Sequence, residues 1–255
     1  SNCLPHKITN RFERFSPLYR SQKLFGAGKI YKNYFNISQK FILPLTVPHG
    51  VDFLTGYRRI DEDSIEPIYV TYNHTIYKDV KDKRFTLKLP HPWLIILKNQ
   101  KIKKGKGTLF VASASSNFHD EQLLKKIQNS SFQKPYSILL KLRTNLSKTK
   151  KWWKNRGFKT YCAGSILNQK FYYKLFEIFN IHQNISIPTM TSAAVFALAM
   201  GKNIQFIPNF TTKIIDENIF CHPPGSKNYF YTKTVWKKLL SKKKNVSKNT
   251  ALKLL

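Results

Sequence analysis

From residue 108 onward, short β-rich runs alternate with segments whose apolar residues recur at helical spacing. Residues 108–112 (TLFVA) predict a strand, and residues 120–128 (DEQLLKKIQ) a helix with Asp120 near its start. Residues 136–142 (YSILLKL) are again strand-like. Residues 148–156 follow as a helix closed by Gly157, and 158–162 as a short strand. Residues 168–179 (NQKFYYKLFEIF) are helical in period, 185–187 extended, 191–200 helical and 204–207 extended. Strands that alternate with helices of about ten residues predict βαβ units on a parallel sheet, a doubly wound α/β domain.

The first hundred residues are less regular. Residues 41–47 (FILPLTV) and 67–72 (PIYVTY) are strand-like, and 85–89 form a possible third strand. Residues 99–107 (NQKIKKGKG), rich in Lys with two glycines, predict a linker or exposed turn, which places a boundary near residue 100. The expected organisation is an α/β region over 1–100, an α/β domain over 101–232 and a basic helix or tail over 233–255. In that tail, Val235, Trp236, Leu239 and Leu240 share one helical face. Such a face suits either an anionic membrane surface or packing on the core. Phe25-Gly26-Ala27-Gly28-Lys29 has two glycines without an evident apolar strip after them and reads as a turn.

Charge adds a second layer. Forty-four basic residues against 13 acidic ones give a net charge of +31, which attracts phosphates, nucleic acids or anionic membranes. Of the 44, 36 are Lys and 8 are Arg, which weakens the case for specialised base reading and fits an A/T-rich genome equally well. Seven of the 13 acids fall between Asp52 and Asp82, a region distinct from its basic surroundings. No apolar run reaches the roughly 18 residues of a membrane span, and the three cysteines are widely spaced, so the expectation is a soluble chain in a reducing cytoplasm.

The most specific segment is 185–210, ISIPTMTSAAVFALAMGKNIQFIPNF. Thr191 and Ser192 fall in the first turn of a small-residue helix, where free N–H groups, the helix dipole and hydroxyls can meet a phosphate or sugar hydroxyl. Helix capping alone would also explain them. The run Ser113, Ala114, Ser115, Ser116, Asn117 offers small hydroxyl residues at a βα turn. Pro48-His49-Gly50-Val51-Asp52 offers an imidazole that changes charge near neutral pH, beside a glycine that admits close approach, with Asp52 to orient it. The chain has no G-x-G-x-x-G, P-loop, H-E-x-x-H, G-x-S-x-G or zinc-knuckle spacing, so neither a metal nor a bound cofactor is expected. Trp152 and Trp153 amid lysines suit stacking on bases or sugars, or a helix that buries one of them.

The run TSAAVFALAMGKNIQFIP resembles the late donor-domain motif of GT-B glycosyltransferases, FILPLTVPHGVDF the acceptor-domain strand and His-Gly turn of capsule and cell-wall transferases, and KGKGTLFVASASS the first donor-domain strand and loop. Together they are similar to bacterial surface-polysaccharide transferases of the sialyltransferase-like and glycerophosphotransferase-like branches, over roughly residues 40–210. The resemblance implies a nucleotide-sugar donor domain and a reduced or truncated N-terminal acceptor domain, since the family fold exceeds 255 residues. It implies donor contacts at Ser113, Ser115, Ser116, Thr191 and Ser192, and acceptor activation by His49 with Asp52. The family's donor-domain His-Pro pair is replaced here by Lys141-Leu142-Arg143, so Lys141 and Arg143 would meet the phosphate instead. His91-Pro92 precedes that domain and reads as structural, and Asp61-Glu62-Asp63 as a solvated turn rather than a base. The implied activity is metal-independent transfer of a sugar or phospho-sugar unit to a surface-polysaccharide or lipid-linked acceptor. Its implied location is the cytoplasm, or the inner face of the membrane through 233–248. A basic nucleic-acid-binding protein and an inactive nucleotide-sugar-binding domain are the alternatives.

Overall fold

A computed structural model describes residues 24–47, 68–72, 85–111, 120–142, 146–187, 191–207, 234–235 and 237–255. It is an α/β protein with two parallel sheets. Two compact units divide the chain, one comprising residues 1–5, 102–164 and 174–219 and the other 6–101, 165–173 and 220–255.

The first unit contains a five-stranded parallel sheet. Its strands are β4 (Thr108–Val111), β5 (Tyr136–Leu139), β6 (Lys159–Tyr161), β7 (Asn184–Ile187) and β8 (Asn203–Phe206), in the order β6-β5-β4-β7-β8. Helices α3 (Asp120–Gln128), α4 (Leu146–Lys154) and α6 (Ser192–Ala199) connect successive strands, and α5 (Phe171–Asn180) lies between β6 and β7 in sequence. The alternation read from the periodicity is therefore present, with most ends shifted by one to three residues. The two central strands, β4 and β7, are buried along their whole length, as a strand covered on both faces must be.

On one face of this sheet, Phe110 and Ile138 pack with Leu123 and Ile127 of α3, with Leu146 and Trp153 of α4, and with Leu140, Phe158 and Ile207. Trp153 is the buried member of the tryptophan pair, and its indole N–H donates to Asp120 Oδ1 at 3.1 Å. Trp152 stays partly open, with the Arg156 guanidinium 3.7 Å above its ring. Helix α6 is buried from Ala194 to Ala199, which explains its composition: a helix enclosed by protein needs apolar side chains all round, and alanines let it approach the strands.

The second unit contains a smaller parallel sheet in the order β1-β2-β3, formed by β1 (Leu45–Thr46), β2 (Ile68–Thr71) and β3 (Phe85–Lys88). Helices α1 (Ala27–Tyr34), α2 (Pro92–Asn99) and α7 (Lys244–Leu254) belong to it. Here the structure corrects the sequence. Phe25 to Lys29 is not merely a turn, because Gly26 precedes α1, whose Ala27, Gly28, Ile30 and Tyr31 form a buried strip. Gly26 is required there. It has φ +78°, and a Cβ would lie 2.2 Å from the Gln169 carbonyl oxygen. Helix α1 packs on α2, and the Tyr31 hydroxyl donates to the Pro90 carbonyl at 3.0 Å. His91 caps α2, its Nδ1 accepting the Trp93 N–H at 3.0 Å with Pro92 at the first helical position, while its own N–H donates to the Leu255 carbonyl.

The stretch 99–107 is exposed along most of its length but is not a free linker. The Lys103 N–H donates to Asn180 Oδ1 at 2.7 Å and the Lys106 N–H to the Ile181 carbonyl at 3.0 Å. In the C-terminal segment, Val235 and Leu239 are buried while Leu240 is exposed, so part of its apolar face is packed against protein. Among the described residues, no helix is long and apolar enough to cross a membrane.

Candidate functional site

In the five-stranded sheet, the chain runs outward from β4 through β5 to β6, then resumes on the other side of β4 with β7 and β8. Connections on the two sides leave the sheet in opposite senses. The carboxyl ends of β4 and β7 therefore border the crevice where open α/β sheets bind ligands. Phe110 pairs with Ser186 in register, which sets Val111 beside Ile187 at that edge.

Helix α6 begins five residues after Ile187, with Thr191 at its N-cap and Ser192 as its first residue. Thr191 has extended backbone angles and makes no capping hydrogen bond through its side chain, so capping does not account for its hydroxyl. Thr191 and Ser192 are both half-buried, at the only part of α6 that is not enclosed. The first turn contains no acid, which leaves the positive end of the dipole uncompensated. Helix α3 also starts at this edge but carries Asp120 and Glu121 in its first turn, which oppose an anion there.

Lys141 lies two residues beyond the end of β5, exposed at the same edge. Ser113, Ser115 and Ser116 lie outside the described residues, in the segment that the chain enters from the end of β4. Arg143 lies outside them as well, just after Lys141. His49 and Asp52 are likewise outside them, in the segment that follows β1. The structure thus brings Thr191, Ser192 and Lys141 to one edge of one sheet and does not describe the other six.

Two further polar residues that the sequence reading overlooked lie one residue short of the ends of β7 and β8. Ser186 on β7 and Gln205 on β8 are register partners and therefore face the same side of the sheet, the side of Phe110. Ser186 is fully buried. Its Oγ and the Gln205 Oε1 are enclosed without a hydrogen-bond partner among the described residues. A buried unpaired polar atom costs about 1–3 kcal/mol, so a hydroxyl and an amide oxygen left so on paired residues one position below a strand edge are uncommon. Their signal in the sequence was a polar residue inside an apolar run, Ile185-Ser186-Ile187.

The opposite edge is closed by polar bonds. Lys202, which follows α6, is buried, and its ammonium donates to the carbonyls of Lys103 at 2.6 Å and Asn180 at 3.0 Å, with Lys104 at 3.4 Å. The Gly-Lys pair of the family-like run is therefore at the amino end of β8, away from the crevice, and Lys202 serves the fold there. His182 is buried nearby, its Nδ1 2.6 Å from the Ile178 carbonyl, and burial, helped by the charges of Lys202 and Lys159, lowers its pKa against the raising effect of that bond. An amide ladder completes this edge, Asn203 Nδ2 donating to Asn184 Oδ1 at 2.9 Å and Asn184 Nδ2 to Gln133 Oε1 at 2.8 Å.

Among the described residues, no group of three His, Cys, Asp or Glu side chains could hold a metal. In comparisons with family models, with curated proteins and with solved structures, the chain finds no match.

Proposed function

We propose that this chain is a glycosyltransferase of the GT-B type that moves a sugar or phospho-sugar unit from a nucleotide donor to a surface-polysaccharide or lipid-linked acceptor. The observation that carries the reading is the acid-free N-terminus of α6 at the switch point of a parallel sheet, with Thr191 free of capping. In this scheme, Thr191, Ser192, Lys141, Arg143 and the hydroxyls of Ser113, Ser115 and Ser116 hold the donor's phosphate and ribose. Ser186 and Gln205 supply further polar contacts below the strand ends.

His49, oriented by Asp52, takes the proton of the acceptor hydroxyl as its oxygen bonds to the anomeric carbon. The bond from that carbon to the phosphate oxygen breaks, and the phosphate leaves with the electron pair. Its growing charge is met by the α6 N–H groups, Lys141 and Arg143. The proposed location is the cytoplasm, with the acceptor delivered at the inner face of the membrane.

His49→Ala separates binding from chemistry. Transfer should fall by roughly 100-fold or more, the ordinary share of a general base, while donor binding is unchanged. Retained turnover would remove His49 as the base. A nucleic-acid-binding role is favoured by overall charge alone. An inactive donor-binding domain would show the same donor affinity and no turnover in the unaltered chain.

A further inference from the structure

Residues 34–42 of the second unit present four large apolar side chains to solvent: Tyr34 is 44% exposed, Phe35 45%, Phe41 55% and Ile42 63%. The loop that carries them is held by its own hydrogen bonds. The Gln39 amide donates to Asn33 Oδ1 at 2.7 Å and the Lys32 ammonium to the Gln39 carbonyl at 3.0 Å. The Ile37 N–H donates to the Lys32 carbonyl at 2.7 Å, and the Phe41 N–H to the Ser38 carbonyl at 3.0 Å. These bonds draw the end of α1 toward the end of the loop, so the four side chains belong to one closed loop. Phe35 also stacks on Tyr31, whose ring is buried, with centroids 6.3 Å apart.

Four large exposed apolar side chains on one hydrogen-bonded loop mark a candidate interaction site. Its surroundings indicate the partner. Lys29, Lys32 and Lys40 flank the four side chains, and the described residues of the second unit contain no Asp or Glu at all. Exposed aromatic and aliphatic side chains with lysines as the only charged residues near them in the described sequence match the interfacial layer of an anionic bilayer. There, rings settle at headgroup depth and lysines reach lipid phosphates. We propose that loop 34–42 docks the protein on an anionic lipid surface, with Phe41 and Ile42 inserted and Lys29, Lys32 and Lys40 at the headgroups. This inference does not require the transferase reading, and it places membrane contact on a surface other than the C-terminal segment.

The test is flotation of the full chain with vesicles of phosphatidylcholine alone and with phosphatidylglycerol added, at low and high salt. The unaltered chain should float with the anionic vesicles. Phe41→Ser with Ile42→Ser should lower the partition coefficient roughly tenfold or more, with its unfolding midpoint kept. A second variant, Phe41→Trp, should show indole emission that shifts to the blue and is quenched by brominated acyl chains beyond the response of the unaltered chain. Flotation of the double variant equal to that of the unaltered chain would assign the binding to the net charge of +31 alone and overturn the proposal. So would an introduced indole that ignores the brominated lipid, an unaltered chain that floats with neither vesicle, or a dimer that these substitutions dissolve in the absence of lipid.

Discussion

Ser186 separates a site from a packing fault. A buried hydroxyl without a partner destabilises the ligand-free fold, so Ser186→Ala should leave the unfolding temperature unchanged or raise it slightly. If nucleotide uses that hydroxyl, the same variant should bind its donor about fivefold more weakly, a loss near 1 kcal/mol. Calorimetric titration beside a thermal scan reads both effects; a destabilised variant with unaltered affinity would give Ser186 a purely structural task. His91 illustrates the opposite case. Its Nδ1 must stay unprotonated to accept the Trp93 N–H, and full burial lowers its pKa from 6.5 to about 3. The unfolded chain takes up a proton below pH 6.5 and the folded chain does not. Stability is therefore complete above pH 6.5 and falls by about 1.4 kcal/mol per unit as the pH drops toward 3. His182, lowered in the same direction, adds to this slope. His91→Asn, whose amide oxygen can still cap α2, should flatten the slope in denaturant titrations across that range; an unchanged slope would contradict the burial argument.

At the scale of elements, the first turn of α6 can be tested without touching its core. Thr191→Asp places a good capping residue at the N-cap and a negative charge on the dipole, so the fold should gain up to about 1 kcal/mol. The same carboxylate repels a phosphate, so donor-induced stabilisation should disappear. Persistence of that stabilisation would show that the anion lies elsewhere. The elements themselves were unevenly legible. The βαβ alternation after residue 108 could be read because each helix there either has an apolar face or, like α6, is bounded by strands and a glycine. Helix α2 escaped notice because PWLIILKN is nearly continuous in apolar residues and shows no period, as expected when Trp93, Ile95 and Ile96 are buried. Helix α1 was hidden by its glycines, since Gly26 and Gly28 suggest a turn and only the fold reveals that Gly26 lies against the Gln169 carbonyl.

For the whole molecule, the net charge of +31 has separate meanings in different places. The buried Lys202 directs its charge to backbone carbonyls within the fold, whereas the exposed Lys40 sits in the apolar loop 34–42 and Lys141 stands exposed beyond the end of β5. No count of lysines could make those distinctions, because a buried ammonium and a solvated one have the same letter in the sequence. The candidate site was legible to the same degree: the chain order placed Thr191 and Ser192 after a strand but Lys141 inside one, 136–142, while the end of β5 at Leu139 and the pairing of β7 with β8 were needed to set Lys141 beyond its strand and Ser186 beside Gln205. The central claim is that the switch point of the larger sheet binds a nucleotide-linked donor. Thermal unfolding of the full chain with CMP-, UDP-, GDP- and CDP-linked donors, and with a short oligonucleotide at two salt concentrations, tests it most directly. One nucleotide class should raise the midpoint by several degrees at both salt concentrations, as expected for a ligand present well above its Kd. Stabilisation by the oligonucleotide alone, lost at high salt, would contradict the account.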